Sequence, residues 1–322
     1  MTVDAGTYDT RNEPTEWRWQ MSTRFLLMLM CALWVLFVFA GGVSPEGGYD
    51  LKTLGLEYRL LEQKDPRPNR VHILRVDLGH GKVQPAVAIA SDPDGGGPAE
   101  AALTDPLKLA GNRSVLAFVN TNPWDSFPDI TGKKDRSWFE GQPVDIHGLA
   151  VAGGQMRSHS HPSYASVWVN DEGRVFMADG PADGSVVEGM AGFQQIVREG
   201  KTVVPPAGAL HPRTAIGADQ NGVVMWLVVV DGRQKHYSEG MSLHELGCFM
   251  VDLGCWNATN MDGGGSSIMA LADVSGVPHV MNSPSDRLLG LRPKLRPLPM
   301  ILTIRKKLDS RRSTVLEEKS AE

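Results

Sequence analysis

The chain has 322 residues, a net charge of −5, 42% hydrophobic residues and 21% charged residues, a composition that excludes a disordered or fibrous protein. The mildly acidic balance lacks the basic surface that neutralises phosphates, so we expect no nucleic-acid partner. Its 3 cysteines exclude a disulfide framework and a four-cysteine zinc site.

The first predicted element is a membrane segment at residues 25–43, FLLMLMCALWVLFVFAGGV, which contains no charged residue. As a helix it would reach about 28 Å, close to the hydrocarbon thickness of a bilayer. Arg24 directly precedes it, so the positive-inside rule assigns residues 1–24 to the cytoplasm and the rest of the chain to the outside. The sequence leaves open whether this segment is an uncleaved anchor or a cleaved signal. We therefore expect a membrane-anchored or secreted protein whose working domain is extracytoplasmic.

The remainder divides into three predicted parts. Residues 44–69, with their Gly, Pro and charged clusters, predict a linker that contains one short element. Residues 70–306 predict one domain, and residues 307–322 predict a charged, solvated tail.

Within the predicted domain, apolar runs and alternating patterns predict strands at residues 71–78, 115–120, 165–170, 174–178, 214–218, 223–230, 258–261, 267–271 and 300–305. The run VVMWLVVV at 223–230 is nearly all apolar, which predicts a central strand covered on both faces.

Two segments predict helices, at 99–110 and 242–253. In the second, Ser242 and Glu245 form a capping-box pattern and Gly254 follows the end. The predicted fold class is α+β, a strand-dominated mixed-sheet domain with few helices, preceded by one transmembrane or signal helix.

The first motif of chemical interest is HPRTAIGAD at 211–219. Arg213 stands at the entry of a predicted strand, where its planar guanidinium group can bind a phosphate or carboxylate through two parallel hydrogen bonds. An ordinary surface or ion-paired arginine would give the same pattern.

The second motif is VVVDGRQKHYSEGMS at 228–242, in which a hydrophobic strand leads into Asp231, Gly232 and Arg233. Sheets commonly place functional residues at such strand ends. A plain Asp-Gly turn explains Asp231 and Gly232 equally well.

The third motif is NATNMDGGGSSIMAL at 257–271. Three consecutive glycines, Gly263, Gly264 and Gly265, are costly in backbone entropy, and such a run allows backbone N–H groups to converge on an anion. Asp262 precedes them, and Ser266 follows with a hydroxyl group. The motif is neither a Walker loop nor a nucleophile elbow. The three motifs together suit a negatively charged substrate with a carboxylate available for acid–base chemistry.

These motifs resemble the phosphodiester glycosidase family. The matching segments are PRTAIGAD at 212–219, DGR at 231–233, SEGMSL at 238–243 and NMDGGGSSIM at 260–269, and weaker similarity extends back to residue 70. The resemblance implies hydrolysis of a sugar-1-phosphodiester at its glycosidic C–O bond, which releases the sugar and a phosphomonoester.

The resemblance also implies roles for individual residues. Arg213 would hold the phosphate, and Asp231 and Asp262 would supply the carboxyl groups that usually flank a glycosidic bond. The remaining substrate-binding residues implied are Asn120, Arg233, Asn260, Gly263, Gly264, Gly265 and Ser266. Where relatives have an Asn-Gly-x-Phe pattern, this chain reads NTNPWDSF at 120–127, which implies an altered substrate pocket.

Two functions remain open at this point. The first is an exported hydrolase that acts on a glycosyl phosphodiester of an envelope or extracellular glycan; the second is a non-catalytic envelope protein that binds anionic glycans. The pair of aspartates favours the enzyme, since binding an anion does not require two carboxylates. We expect no organic cofactor, and the sequence leaves a divalent cation open.

Overall fold

The computed structural model describes residues 50–111, 114–288 and 291–307. The predicted segments at 1–24 and 25–43, and the predicted tail beyond Lys307, lie outside these residues. Across the described ranges, no helix is both long enough and apolar enough to span a bilayer.

Strands dominate the described part of the chain, as predicted. In chain order they are β1 (Leu56–Gln63), β2 (Asn69–Asp77), β3 (Val83–Ile89), β4 (Ala101–Ala102), β5 (Val115–Asn120), β6 (Trp124–Ser126), β7 (Pro143–Ile146), β8 (Ala150–Ala152), β9 (Gln155–Ser158), β10 (Ala165–Val169), β11 (Val175–Asp179), β12 (Glu188–Gly192), β13 (Gln194–Arg198), β14 (Lys201–Thr202), β15 (Arg213–Ala218), β16 (Val224–Val230), β17 (Asn257–Asn260), β18 (Met269–Ala272), β19 (Pro278–Val280), β20 (Arg287–Leu288), β21 (Arg292–Pro293) and β22 (Met300–Lys306). The α-helices among these residues are α1 (Pro106–Ala110) and α2 (Leu243–Asp252), and 3₁₀ turns cover Leu51–Leu54, Leu78–His80 and Gly264–Ser266.

The strands form two large sheets that pack against each other, and three further sheets. The first large sheet has the order β1-β2-β16-β15-β17-β13-β14, and the second has the order β19-β18-β5-β22-β3. The other sheets have the orders β11-β10-β12-β8-β9, β4-β7-β6 and β20-β21. Every strand pairing among the described residues is antiparallel, so the prediction of a mixed sheet was wrong. Whether two neighbouring strands run parallel or antiparallel depends on the connection between them, because parallel neighbours need long crossovers. The apolar pattern within a single strand does not reveal that connection.

Strand β16 lies inside the seven-stranded sheet, between β2 and β15, which confirms its predicted central position. Because successive side chains of a strand point to opposite faces, β16 contributes to two hydrophobic cores. Leu227 enters the core between the two large sheets, where Phe118 of β5 and Leu302 of β22 also lie. Val228 enters the core beneath α2, together with Leu246.

Helix α2 begins as its sequence predicts. The Ser242 side chain accepts a hydrogen bond from the Glu245 backbone N–H, and the Glu245 carboxylate accepts one from the Ser242 backbone N–H. This capping box satisfies two backbone donors that the first helical turn leaves unpaired.

The one short element predicted within residues 44–69 corresponds to strand β1 (Leu56–Gln63), which pairs with β2 along its whole length, so the seven-stranded sheet begins before residue 70. The predicted helix at 99–110 is reduced to α1, because Ala101–Ala102 pair with β7 as β4 and the Asp105 side chain caps a helix that starts at Pro106. Proline favours the first turn of a helix and disfavours helical geometry in the residue before it.

Candidate active site

The site is built around the loop at 261–268, which connects β17 of the seven-stranded sheet to β18 of the second large sheet. Asn120, at the end of β5, holds this loop: its Nδ2 donates to the Asp262 carbonyl oxygen at 2.7 Å. The Asn120 Oδ1 accepts from Thr214 Oγ1 at 2.7 Å and from the Ile268 N–H at 3.1 Å. Asn120 is 1% exposed, so this geometry favours a role in positioning the loop over the predicted contact with a sugar.

Asp262 lies at the start of this loop and is a partly exposed residue. Its backbone N–H donates to the Thr121 carbonyl at 2.9 Å, and its Oδ1 accepts from the Gly263 N–H at 2.9 Å. Burial raises the pKa of Asp262 to about 6, against the opposing effects of the Ser266 hydroxyl and of the positive charges of Arg296 and Arg233. Asp262 therefore changes its ionisation close to neutral pH, which acid–base chemistry requires.

The three glycines allow close packing around Asp262. Two of their N–H groups are already used, that of Gly263 by Asp262 Oδ1 and that of Gly264 by the Pro212 carbonyl at 3.0 Å. A Cβ on Gly263 would lie 2.8 Å from Pro212 O, and one on Gly264 would lie 3.0 Å from Arg233 Nη1. A Cβ on Gly265 would overlap the Asp286 carboxylate. The structure thus explains the glycines mainly by close approach, whereas the sequence predicted a nest of N–H groups free for an anion.

Beside the loop lies a basic cluster formed by His211, Arg213 and Arg233. Arg213 opens β15 and pairs with Val230, the last residue of β16, which brings the first and second motifs together. Arg233 Nη2 lies 3.2 Å from His211 Nδ1. Burial, and then the charges of Arg233 and Arg213, lower the pKa of His211; burial and the charge of Arg233 lower the pKa of the Arg213 guanidinium group. Among the described residues neither arginine forms an ion pair with a carboxylate, so the basic cluster suits an anionic ligand.

The two arginines of the basic cluster differ in what they contact. Arg213 is partly buried and donates to two backbone carbonyls, Met241 O at 3.0 Å from Nε and Ala209 O at 3.1 Å from Nη2. Arg233 is exposed, has the left-handed φ of 59°, and projects over Gly264. Arg233 is thus the more accessible of the two guanidinium groups, and Arg213 also holds the segment before β15 in place.

Asp231 lies in a buried hydrogen-bond network instead of at an open surface. Its side chain is 0% exposed, and its Oδ2 lies 3.3 Å from His72 Nε2. Its Oδ1 accepts from the Ser283 N–H at 2.9 Å and from Asn282 Nδ2 at 3.2 Å. His72 Nδ1 in turn lies 2.9 Å from the Tyr58 hydroxyl. This geometry favours a positioning role for Asp231 over the predicted direct part in catalysis.

The other predicted substrate ligands are also mostly buried. Asn260 is 3% exposed, and its Oδ1 has no hydrogen-bond partner within the described part of the chain. Ser266 is 1% exposed, and its Oγ accepts from Arg296 Nη1 at 3.2 Å. The structure brings Asn120, Arg213, Arg233, Asp262 and the three glycines to one end of the two large sheets.

Sequence reasoning missed three residues at this end. Arg296 donates to both carboxylate oxygens of Asp286, at 2.9 and 3.0 Å, and this pair packs against Gly265. Nothing in the segment 283–297 signals this placement, because only the folded sheets bring it to the loop. His211 carried a signal, since it belongs to the first motif, two residues before Arg213. Within the described ranges, no three His, Cys, Asp or Glu side chains are grouped so that they could hold a metal ion.

Comparison with solved structures supports the architecture. The catalytic domain of the zebrafish N-acetylglucosamine-1-phosphodiester alpha-N-acetylglucosaminidase, auto-inhibited by its pro-peptide, matches with a TM-score of 0.57 and 20% identity, over 83% of this chain and 86% of that one. A hypothetical protein from Synechocystis matches with a TM-score of 0.51 and 12% identity, over 79% of this chain and 62% of that one. A putative exported protein from Burkholderia pseudomallei K96243 matches with a TM-score of 0.50 and 15% identity, over 74% of each chain. At these identities the likeness concerns the fold.

A search of curated proteins finds no match. The phosphodiester glycosidase family model matches residues 133–305, more than half of the chain. That range includes the basic cluster and the loop that carries Asp262. The chain therefore belongs to the phosphodiester glycosidase family.

Proposed function

We propose that this protein hydrolyses the glycosidic C–O bond of a sugar-1-phosphodiester at Asp262, with the phosphate held by the basic cluster. The observation that carries the proposal is a carboxyl group whose pKa is raised to about 6 beside two guanidinium groups, those of Arg213 and Arg233, that have no carboxylate partner among the described residues. Family membership supports the reaction class.

The chemistry of the leaving group indicates separate roles for the basic cluster and for Asp262. When the C1–O bond breaks, its electron pair goes to the phosphate oxygen, and a phosphomonoester with a second pKa of about 6 holds that charge well. The leaving group thus needs electrostatic stabilisation more than a proton, which the basic cluster supplies. Asp262 acts in its ionised form: it takes a proton from the water that attacks C1, or it attacks C1 itself before water releases the sugar.

The substrate is proposed to be a glycosyl phosphodiester of an envelope or extracellular glycan. The zebrafish relative acts on an N-acetylglucosamine-1-phosphodiester by its name, which supports a sugar phosphate without identifying the sugar here. The proposed location follows from the uncharged segment at 25–43. Protease added to intact cells should degrade the domain and spare a tag at residue 1; a protected domain would contradict the location.

Binding of anionic glycans without hydrolysis is the second candidate. Burial of Asp231 favours it, because the carboxylate pair that argued for an enzyme is reduced to one accessible aspartate. Arg233, Arg213 and His211 would suffice for binding alone.

The decisive experiment measures the sugar released from a panel of sugar-1-phosphodiesters. We expect release by the wild-type protein, loss of release by Asp262→Asn, and full release by Asp183→Asn, a control at an exposed aspartate. Wild-type binding of the panel without any release would favour the glycan-binding function.

A further inference from the structure

Four rings cluster on the surface near the candidate site. Tyr164 lies at the centre, with the ring centroid of His147 at 5.2 Å and stacked, that of Phe193 at 6.3 Å and that of His161 at 5.9 Å. We refer to these four residues as the aromatic platform. Phe193 is 46% exposed, although burying its ring would be favourable. An exposed ring packed beside the Tyr164 ring suits a ligand with an apolar face.

The first connection between the aromatic platform and Asp262 runs through the backbone of Phe193. The Phe193 backbone N–H donates to the Asn260 carbonyl at 2.8 Å, two residues before Asp262. The preceding Gly192 lies so close to the same carbonyl that a Cβ there would overlap it. The chain that presents Phe193 is therefore held tightly against the strand that leads to Asp262.

A second connection runs through the segment after β5. The Asp262 N–H donates to Thr121 O at 2.9 Å. The next residue, Asn122, is buried and donates from Nδ2 to His147 O at 3.1 Å, and its Oδ1 accepts from the Ala191 N–H at 2.9 Å. One cross-strand hydrogen bond and two residue steps thus separate the backbones of Phe193 and Asp262, roughly 10 Å, which is comparable to the length of a sugar phosphate.

The aromatic platform also has polar groups at its edge, which could bind the hydroxyl groups of a sugar. The Tyr164 hydroxyl lies 2.9 Å from His147 Nδ1, which holds the imidazole in place. His147 Nε2 lies 3.9 Å from Asp145 Oδ2, too far for a hydrogen bond. A pyranose offers apolar C–H groups to a ring face and hydroxyl groups to such an imidazole nitrogen and carboxylate.

We propose that the aromatic platform binds the sugar ring of the substrate, with Phe193 as its stacking surface, while the basic cluster holds the phosphate. This assignment rests on the proposed function and adds a binding site that none of the three motifs contains. Phe193, at the turn between β12 and β13, thereby becomes a determinant of sugar affinity.

The test compares binding of three probes by calorimetric titration: glucose-1-(methyl phosphate), its 2-acetamido analogue, and inorganic phosphate. Every titration uses the Asp262→Asn protein as the parent, so that the phosphodiesters are not hydrolysed while they bind. Phe193→Ala should raise the Kd of the better phosphodiester about tenfold and leave the Kd of phosphate unchanged. Phe193→Trp should keep the Kd of the parent. Phe176→Ala is the matched control, since Phe176 is 40% exposed and stacked on Trp168 in the β10–β11 sheet.

The possible outcomes distinguish failure of the proposed sugar site from failure of the proposed hydrolysis. Equal phosphodiester affinity of the Asp262→Asn parent with and without Phe193→Ala would overturn the proposal, as would a parent that binds neither phosphodiester more tightly than phosphate. If these variants behave as expected but wild type releases no sugar, the aromatic platform stands and the proposed hydrolysis fails.

Discussion

Asp262 occupies an environment that disfavours its charged form. Its pKa rises from 3.8 to about 6 because burial outweighs the hydrogen bond from Ser266 and the charges of two arginines. The carboxylate therefore costs folding free energy wherever it is ionised, a cost that fits a group retained for chemistry.

Asp262→Asn should separate catalysis from stability. We expect kcat to fall by about 10²–10⁴ through loss of the titratable group, and kcat/KM of wild type to rise with pH through about 6 because the ionised form acts. A structural aspartate that only caps the turn would show the reverse, a lower Tm with a modest loss of rate.

The same variant has a predictable pH dependence of stability. Below the unfolded-state pKa the carboxyl is protonated in both states and costs nothing; above about pH 6 it is ionised in both states and the full cost applies. Asp262→Asn should thus exceed wild type in free energy of unfolding by about 2–3 kcal/mol at pH 7, with the difference shrinking towards pH 4. Denaturant titrations at both pH values measure it, and a constant difference would contradict the raised pKa.

Replacing Asp231 should affect stability more than turnover, which is the opposite of the expectation for Asp262. Asp231→Ala leaves His72, Asn282 and the Ser283 N–H without their acceptor in a buried region, so the free energy of unfolding should fall by about 3 kcal/mol or more. Turnover per folded molecule should stay within about tenfold of wild type, measured with the folded fraction on the same preparation. A hundredfold loss per folded molecule would restore Asp231 to the catalytic residues.

The two arginines of the basic cluster give a paired prediction. Arg233→Lys should lower kcat/KM about tenfold or more without lowering Tm, because a compact ammonium cannot donate two parallel hydrogen bonds to a phosphate. Arg213→Lys should lower both, since one of the carbonyl contacts to Met241 and Ala209 is lost, at about 1 kcal/mol. Full activity of both variants would exclude the basic cluster as the phosphate site.

At the scale of elements, the loop at 261–268 joins the two large sheets and carries the Asp262 carboxyl group. Asn120 hydrogen-bonds this loop and Thr214 at once, so the position of Asp262 depends on how the sheets pack. The glycines let Pro212, Arg233 and Asp286 pack against the loop from three sides.

Gly264→Ala tests this packing against a matched control. Gly264 has φ +62° and faces Arg233, whereas Gly153 has φ +54° and open space at the position of a Cβ. Both alanine variants should lose about 1 kcal/mol of stability from backbone strain, but only Gly264→Ala should lose activity, by displacing Arg233. Equal activities, measured beside the two Tm values, would show that the Arg233 contact is dispensable.

At the scale of the whole molecule, the working domain begins earlier than its sequence suggests. Strand β1 adds an edge to the seven-stranded sheet, buries Leu56 and supplies the Tyr58 hydroxyl to His72. Burial, and then the negative charge of Asp231, raise the pKa of Tyr58 to about 12. The network that holds Asp231 thus starts in the predicted linker.

A chain that starts at residue 44 should therefore fold cooperatively, and one that starts at residue 66 should not. Deleting β1 removes a full antiparallel pairing and exposes apolar surface of β2. Soluble yield and Tm of the two chains measure the difference. A chain from residue 66 with the same Tm would show that β1 is peripheral.

Features that depend on local patterns could be predicted from the amino-acid sequence alone. The continuous apolar run of β16 predicted a central strand, Ser242 and Glu245 predicted the start of α2, and the three motifs predicted the family. These succeed because side-chain periodicity, capping and short motifs are encoded within a few neighbouring residues.

Which groups of a motif are accessible depends on the packing of the folded chain. Asp231 and Asp262 follow similar strand ends, yet packing closes one within the His72 network and leaves the other partly open beside Arg233. It likewise brought Arg296, Asp286 and the aromatic platform to the site from distant segments. The burial and the contacts of a side chain depend on chain segments that are far apart in sequence. A pattern of neighbouring residues therefore does not reveal them.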